Sequence, residues 1–360
     1  MLFDPLATPT LNLANRIVMA PLTRSRAVDA NTPNALMAEY YGQRATAGLI
    51  ITEGTSPSPN GLGYARIPGL FNAAQVEGWK LTTSAVHAQG GKIFIQLMHC
   101  GRVAHVANLP AGAEVVGPCA DPCPREMYTD ALGMQPHSLP RAMQAADIRH
   151  AIGEYAQAAH RAVEAGFDGV ELHGANGYLI EQFLNPNVNR RQDGYGQDPG
   201  GRNRFAVEVA MAVAAAIGPE RVGIRLSPYG VFNATGEFPE VQAQYLSLAE
   251  RLSALHLQYL HLVDHSSMGA PVVPADFKLR LRAGFKGLFI LSGGFTRTSA
   301  EAALVERRGD LVAFGRAMLA NPDLVARMRL GAALNEPDPA TFYTPGAKGY
   351  TDYPALSGSP

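Results

Sequence analysis

KIFIQLMH, at Lys92–His99, is apolar and rich in strand-forming residues along most of its length and carries polar groups at Gln96 and His99. A strand with one face in water alternates apolar and polar residues. A nearly continuous apolar run is what a strand buried on both faces requires, as in a parallel sheet covered by helices. Seven more runs share this character: RIVMAP (Arg16–Pro21), LIITEG (Leu49–Gly54), GVELHG (Gly169–Gly174), VGIRLSP (Val222–Pro228), YLHLVD (Tyr259–Asp264), LFILSGG (Leu288–Gly294) and LVAFGR (Leu311–Arg316).

The segments between them have helical spacing. Ile148–Ala165 sets Ile148, Ile152, Tyr155, Ala159 and Val163 on one stripe, and Gly166 ends it. Val241–Leu255 and Ser299–Val305 follow suit. Asn321-Pro322 is expected to open the last helix, with asparagine as cap and proline in the first position. Eight β–α units in series predict an α/β chain closed into a (β/α)8 TIM barrel rather than an open doubly wound sheet. Length beyond the roughly 250 residues typical of that fold falls in an excursion after the third strand, Gly101–Ala146, and in a C-terminal tail, 335–360. With no repeat or linker, residues 1–360 are expected to form one domain.

Composition narrows the function. Apolar residues are 47% and charged residues 17%, enough for a large core, and the formal net charge of −1 disfavours nucleic acid or an anionic membrane as partner. No apolar run approaches the roughly 18 residues of a membrane span, and Met1–Pro5 lacks the features of a secretory signal, so a cytoplasmic location is expected. Cys100, Cys119 and Cys123 form no Cys-x-x-Cys pair. Reduced structural thiols are expected, ahead of a metal site using Cys119, Cys123 and His99.

In barrels the chemistry gathers where strands end. Here those ends hold Pro21-Leu22-Thr23-Arg24, Glu53-Gly54, Gln96 to His99, His173 to Tyr178, Arg225, Ser292-Gly293-Gly294 and Gly315-Arg316. Polar groups crowd one end of an otherwise apolar barrel, which marks an active site. Gly293, Gly294, Gly315 and Arg316 offer backbone N–H groups and a cation where this fold often binds phosphate. Neither Gly-x-Gly-x-x-Gly after a strand nor a Walker lysine motif occurs, so the phosphate would belong to FMN or to a phosphorylated substrate.

Met19–Arg24 (MAPLTR), Val170–Leu179 (VELHGANGYL), Ala313–Arg316 (AFGR) and Gly349–Pro354 (GYTDYP) resemble the old yellow enzyme family, in order and with similar spacing from Leu2 to about Leu356. The resemblance is closest to the branch with threonine beside the flavin. It implies an NAD(P)H-dependent FMN ene-reductase, with non-covalent FMN and NADPH or NADH as reductant. Thr23 would bond flavin O4, Gln96 the pyrimidine edge, and Arg225 the N1–O2 locus where negative charge collects on reduction. Pro21, Gly54 and the phosphate loops would complete the cofactor site. His173 and Asn176 would hold the oxygen of an activated alkene, Tyr178 would protonate its α-carbon, and Tyr64, Met98, Phe232 and Tyr343 would wall the pocket. Implied substrates are small molecules: activated alkenes, nitro compounds and quinones.

Two departures from the family pattern stand out. Met98 replaces a common tryptophan, and Asp198-Pro199-Gly200-Gly201-Arg202 lacks the usual Glu-Asn pair unless a two-residue slip aligns Asn203-Arg204. Three other readings remain at this level: a nitroester or nitroaromatic reductase, a flavin-free barrel lyase or isomerase, and a non-catalytic flavin binder.

Overall fold

Alternation within each strand sorts the side chains into two populations. In the computed structural model, which describes residues 1–356, the eight runs form a closed parallel barrel. Its strands are β1 (Ile17–Met19), β2 (Leu49–Thr55), β3 (Ile93–Leu97), β4 (Gly169–Gly174), β5 (Val222–Leu226), β6 (Tyr259–Val263), β7 (Leu288–Ser292) and β8 (Leu311–Phe314). Each pairs with its neighbour in the chain, and Val312 beside Ile17 closes the ring. Val18, Leu49, Ile51, Phe94, Tyr259, Ile290 and Leu311 point inward and form the barrel's own core, sealed below by Leu11 and Leu13 of an antiparallel hairpin. Their neighbours, such as Ile50, Ile95, Leu172, Ile224 and Leu260, point outward into a larger apolar layer shared with the helices. Period-two geometry therefore sends Gln96, Glu171, His173, Arg225 and His261 to the inside, one or two rungs above the apolar plug.

The interior needs room as well as polarity. A Cβ on Gly223 would lie 2.2 Å from the Tyr259 ring, so glycine there lets a large aromatic cross the barrel. Deleting the side chain is the simplest way to seat so large a ring in a close-packed interior.

Helices follow the strands as the spacing predicts: Ala145–Glu164 carries the Ile148 stripe and ends at Gly166, with φ +88°, while Val241–Ala254 and Arg297–Val305 match the other two. One expectation fails. Asn321 does not open a helix. It closes the short helix Arg316–Ala320, its amide donating to the Ala317 and Asn335 carbonyls, and the next helix, Leu324–Leu330, begins after Asp323. The sequence 198–204 forms the first turns of helix Pro199–Ile217, capped by Asp198. Arg202 and Asn203 anchor it to Gln244 of the following helix, so its departure from the family pattern bears on helix packing.

The excursion holds an antiparallel hairpin, Glu126–Thr129 with Gly133–Pro136, and a short parallel pair, Val116–Gly117 with Arg141–Ala142. The tail crosses the barrel mouth and is fastened from beneath by two buried arginines. Arg24 donates to the Phe342 and Gly349 carbonyls, and Arg26 to the Thr341, Phe342, Gly346 and Lys348 carbonyls. Tyr350 stacks on Tyr40 at 4.0 Å, with Arg26 over its ring. Residues 357–360 of the tail lie outside the described residues. No helix among the described residues is long and apolar enough to cross a membrane.

Candidate active site

A cleft of about 570 Å³ opens at the strand ends, and it gathers nearly all the expected site residues. Pro21, Thr23, Gln96, Arg225, Gly293, Gly294, Gly315 and Arg316 line it, as do His173, Asn176 and Tyr178. Tyr64, Met98, Phe232 and Tyr343 line it as well, from four separate segments. Gly54 is the exception. It lies behind Met98, whose sulfur is 2.4 Å from where a Cβ would stand, so glycine admits the thioether rather than facing the cleft.

Three polar strand-end residues turn away from the mouth. Glu53 accepts from the Arg24 backbone N–H and the Tyr41 hydroxyl in the helix layer, and burial raises its carboxyl to about 7. The Arg24 side chain serves the tail. His99 is buried with Nδ1 accepting from the Gly101 N–H, and burial lowers its imidazole to about 3. Cys100 and Cys123 sit in an apolar cluster with Met98 and Tyr178, and Cys119 accepts from the Arg190 N–H.

The mouth is electrically specific. Gln96 Nε2 donates to Glu171 Oε1 at 2.8 Å, which leaves its Oε1 as an acceptor. Glu171 Oε2 is engaged at 2.9 Å by Nδ1 of the buried His261. Arg225 is buried, and its Nε has no hydrogen-bond partner among the described residues. A buried guanidinium nitrogen left unpaired is costly, and on the wall of the cleft a bound group can supply its partner.

His173 is also buried, and Nδ1 accepts from the Ala175 N–H at 3.3 Å. Burial, with the charge of Arg225 and the neighbouring histidines, holds the imidazole well below the usual histidine range. It is therefore neutral at pH 7 and carries its proton on Nε2. Asn176 has φ +59°, and its backbone N–H donates to Ser227 Oγ at 2.9 Å. The Tyr178 ring stands edge-on to His173, 4.8 Å between centroids, and its hydroxyl donates to the Tyr64 hydroxyl at 3.2 Å. Burial and the facing Tyr64 hydroxyl push the Tyr178 phenol well above its usual value.

The cleft also uses residues that strand-end reading missed. Asn233 lies beside Tyr64, and Phe342 joins Tyr343 from the tail. His265 stands just past β6, with Nε2 2.7 Å from Asn176 Oδ1. The rule that marked seven strand ends applies equally to the sixth, where the run ends in Asp264-His265.

These residues fit FMN. The unpaired Arg225 cation, the free Gln96 acceptor and the glycine loops are what an anionic, hydrogen-bonding ring system with a phosphate requires. A Cβ at Gly293 would lie 2.0 Å from the Asp264 carbonyl oxygen, and both Gly293 and Gly294 have positive φ, so these loops present bare backbone. Fold and site together define an FMN-dependent oxidoreductase on a (β/α)8 barrel.

The chain belongs to the NADH:flavin oxidoreductase / NADH oxidase family, whose model matches residues 1–335, and is of the old yellow enzyme type. It is 40% identical to 12-oxophytodienoate reductase 7 of Oryza sativa subsp. japonica, over 99% of this chain and 94% of that protein. It is 41% identical to a probable flavin mononucleotide-dependent alkene reductase of Leishmania infantum, over 99% and 98%. Morphinone reductase in complex with tetrahydroNAD superposes with a TM-score of 0.93 at 46% identity, covering 99% of this chain and 97% of that one. Membership removes the flavin-free lyase or isomerase from consideration.

Proposed function

We propose that the protein reduces the activated C=C bond of α,β-unsaturated carbonyl or nitro compounds, with NADPH or NADH as the source of electrons. The observation that carries this is a neutral histidine with a free Nε2–H at the mouth, flanked by an asparagine amide and a buried protonated tyrosine. In this reading Thr23, Gln96, Arg225 and the loops at Gly293-Gly294 and Gly315-Arg316 hold FMN. Bound and reduced, FMN supplies the hydride.

The remaining work belongs to the chain. His173 Nε2–H and the Asn176 amide donate to the substrate's carbonyl or nitro oxygen. This draws electron density from the β-carbon and stabilises the enolate-like charge that grows on that oxygen, as preorganised donors do in a buried site. A neutral histidine suits this task, since it binds the oxygen by donation without first transferring its proton. Tyr178 then delivers its proton to the α-carbon. Its raised pKa keeps it protonated throughout the neutral range, and only a strongly basic carbon can take that proton. Once the proton has left, the Tyr64 hydroxyl can rotate to donate to the phenolate. Tyr64, Met98, Phe232 and Tyr343 form the wall, and the slender thioether of Met98 leaves more room than an indole would. A nitro group presents the same kind of oxygen to the donor pair, so nitro compounds fall within the substrate range, with quinones alongside.

The test is a visible spectrum of the purified protein, taken before and after anaerobic NADPH and again after 2-cyclohexenone. A flavin spectrum that bleaches with NADPH and returns with the enone is expected. Bleaching without return on any enone or nitroalkene would refute the proposed substrate class.

A further inference from the structure

We propose that His265 is a positioning residue that fixes which end of the Asn176 amide faces the substrate. The inference rests on the role given to Asn176 above. The Asn176 backbone is held on both sides, its N–H donating to Ser227 Oγ and its carbonyl accepting from Asn233 Nδ2 at 2.8 Å. That pins the residue in the left-handed region, at φ +59°, and leaves the side-chain amide to be oriented separately. The two ends of an amide are nearly equal in size and opposite in character: the nitrogen only donates, the oxygen only accepts. With Nδ2 toward the cleft the group stabilises a negative oxygen. With Oδ1 there it repels one.

His265 is placed to hold the oxygen end. Its Nε2 lies 2.7 Å from Asn176 Oδ1. The ring is held neutral, its pKa lowered to about 4 by burial and by the charge of Arg225, and in this pairing with Oδ1 its single proton lies on Nε2. The Phe232 ring packs edge-on at 4.7 Å and restrains the imidazole. A donor held at Oδ1 leaves Nδ2 for the cleft that Asn176 and His173 both line. Protonation of His265 in acid leaves the Nε2–H in place, so the orientation is retained across the working pH range.

The experiment uses the FMN-loaded protein and para-chlorophenol, whose phenolate oxygen imitates the charged substrate oxygen, with affinity read from the flavin spectrum and kcat and KM from 2-cyclohexenone turnover. A net hydrogen bond of ordinary strength corresponds to a bias of about 3- to 10-fold. His265→Leu is therefore expected to weaken phenolate binding and lower kcat by about that factor, and His265→Gln, which can still donate, to restore both to within about twofold. In an Asn176→Ala background, His265→Leu is expected to change nothing further. A His265→Leu loss of equal size in that background, or unchanged affinity while Asn176→Ala alone weakens binding, would overturn the positioning role and leave the proposed function standing. Unchanged phenolate affinity in Asn176→Ala itself would overturn the role of Asn176, and this inference with it.

Discussion

Replacing Arg225 with methionine separates a cofactor-binding arginine from a structural one. Methionine keeps most of the aliphatic length and removes the charge. Arg225 lies on β5 beside His173 and His261, and its Nε has no partner among the described residues. If FMN is that partner, a charge-assisted hydrogen bond of about 1.5–3 kcal/mol is lost from binding, which corresponds to a dissociation constant about 10- to 150-fold higher. The apoprotein should lose little, because Glu171 keeps Gln96 and His261 as partners and is not orphaned. For 360 residues the unfolding entropy is about 0.76 kcal/mol/K. FMN at one hundred times the parental dissociation constant stabilises the parent by about 2.7 kcal/mol, or about 3.5 °C. The variant at the same concentration should gain between about 0.5 and 2 °C. Fluorescence titration gives the affinity, and calorimetry with and without FMN gives the melting shifts. An affinity within threefold of the parent, or an apoprotein that melts more than about 5 °C lower, would show that Arg225 serves the fold instead.

Tyr178→Phe should slow enone reduction by about 10²-fold or more while flavin reduction by NADPH stays within about twofold, as single-turnover stopped-flow can resolve; equal losses in both half-reactions would contradict the acid role. Arg26→Met should free the tail, because four tail carbonyls each lose a guanidinium donor at once, with only Phe342 retaining that of Arg24. A melting loss of about 4 °C is expected for about 3 kcal/mol, with faster proteolysis after Phe342 as the sharper readout. Glu181 is buried, accepting from the Gly177 N–H and Ser227 Oγ, and burial raises its carboxyl from 4.5 to about 7. The folded state thus holds a proton that the unfolded chain releases, so this contribution is complete below pH 4.5 and is lost as pH rises to about 7. Glu181→Gln should flatten the fall in melting temperature between pH 5 and 8 by about 4 °C, and an unchanged slope would refute it.

The barrel was legible because its strands are buried on both faces, which writes them as eight apolar runs that no other arrangement explains as simply. The site was legible to the extent that parity and strand ends govern it. His99 stands an odd step from Gln96 and so faces the helices, which period-two spacing alone implies. Glu53 differs: a register shift between Ile51 and Gly54 breaks the alternation and turns the carboxylate outward, and nothing in LIITEG announces a bulge. Asn321-Pro322 carried a sound helix-start signal, but the tail outbid it by supplying Asn335 as a partner for the asparagine amide. The Asn176–His265 contact joins residues 89 apart and is a product of barrel closure.

The fastening of the tail has a consequence for how the protein is made. Arg26 emerges from the ribosome early, yet the carbonyls it serves lie 315 to 322 residues later. At about 5–20 residues per second, that is roughly 15 to 65 s of synthesis. Through that interval the two arginines wait without their acceptors, and Ile17 waits for Val312 to close the barrel. The tail's share of the mouth, Phe342 and Tyr343, is thus added last, and a chain stalled before Gly349 lacks the last of the carbonyls that Arg24 holds.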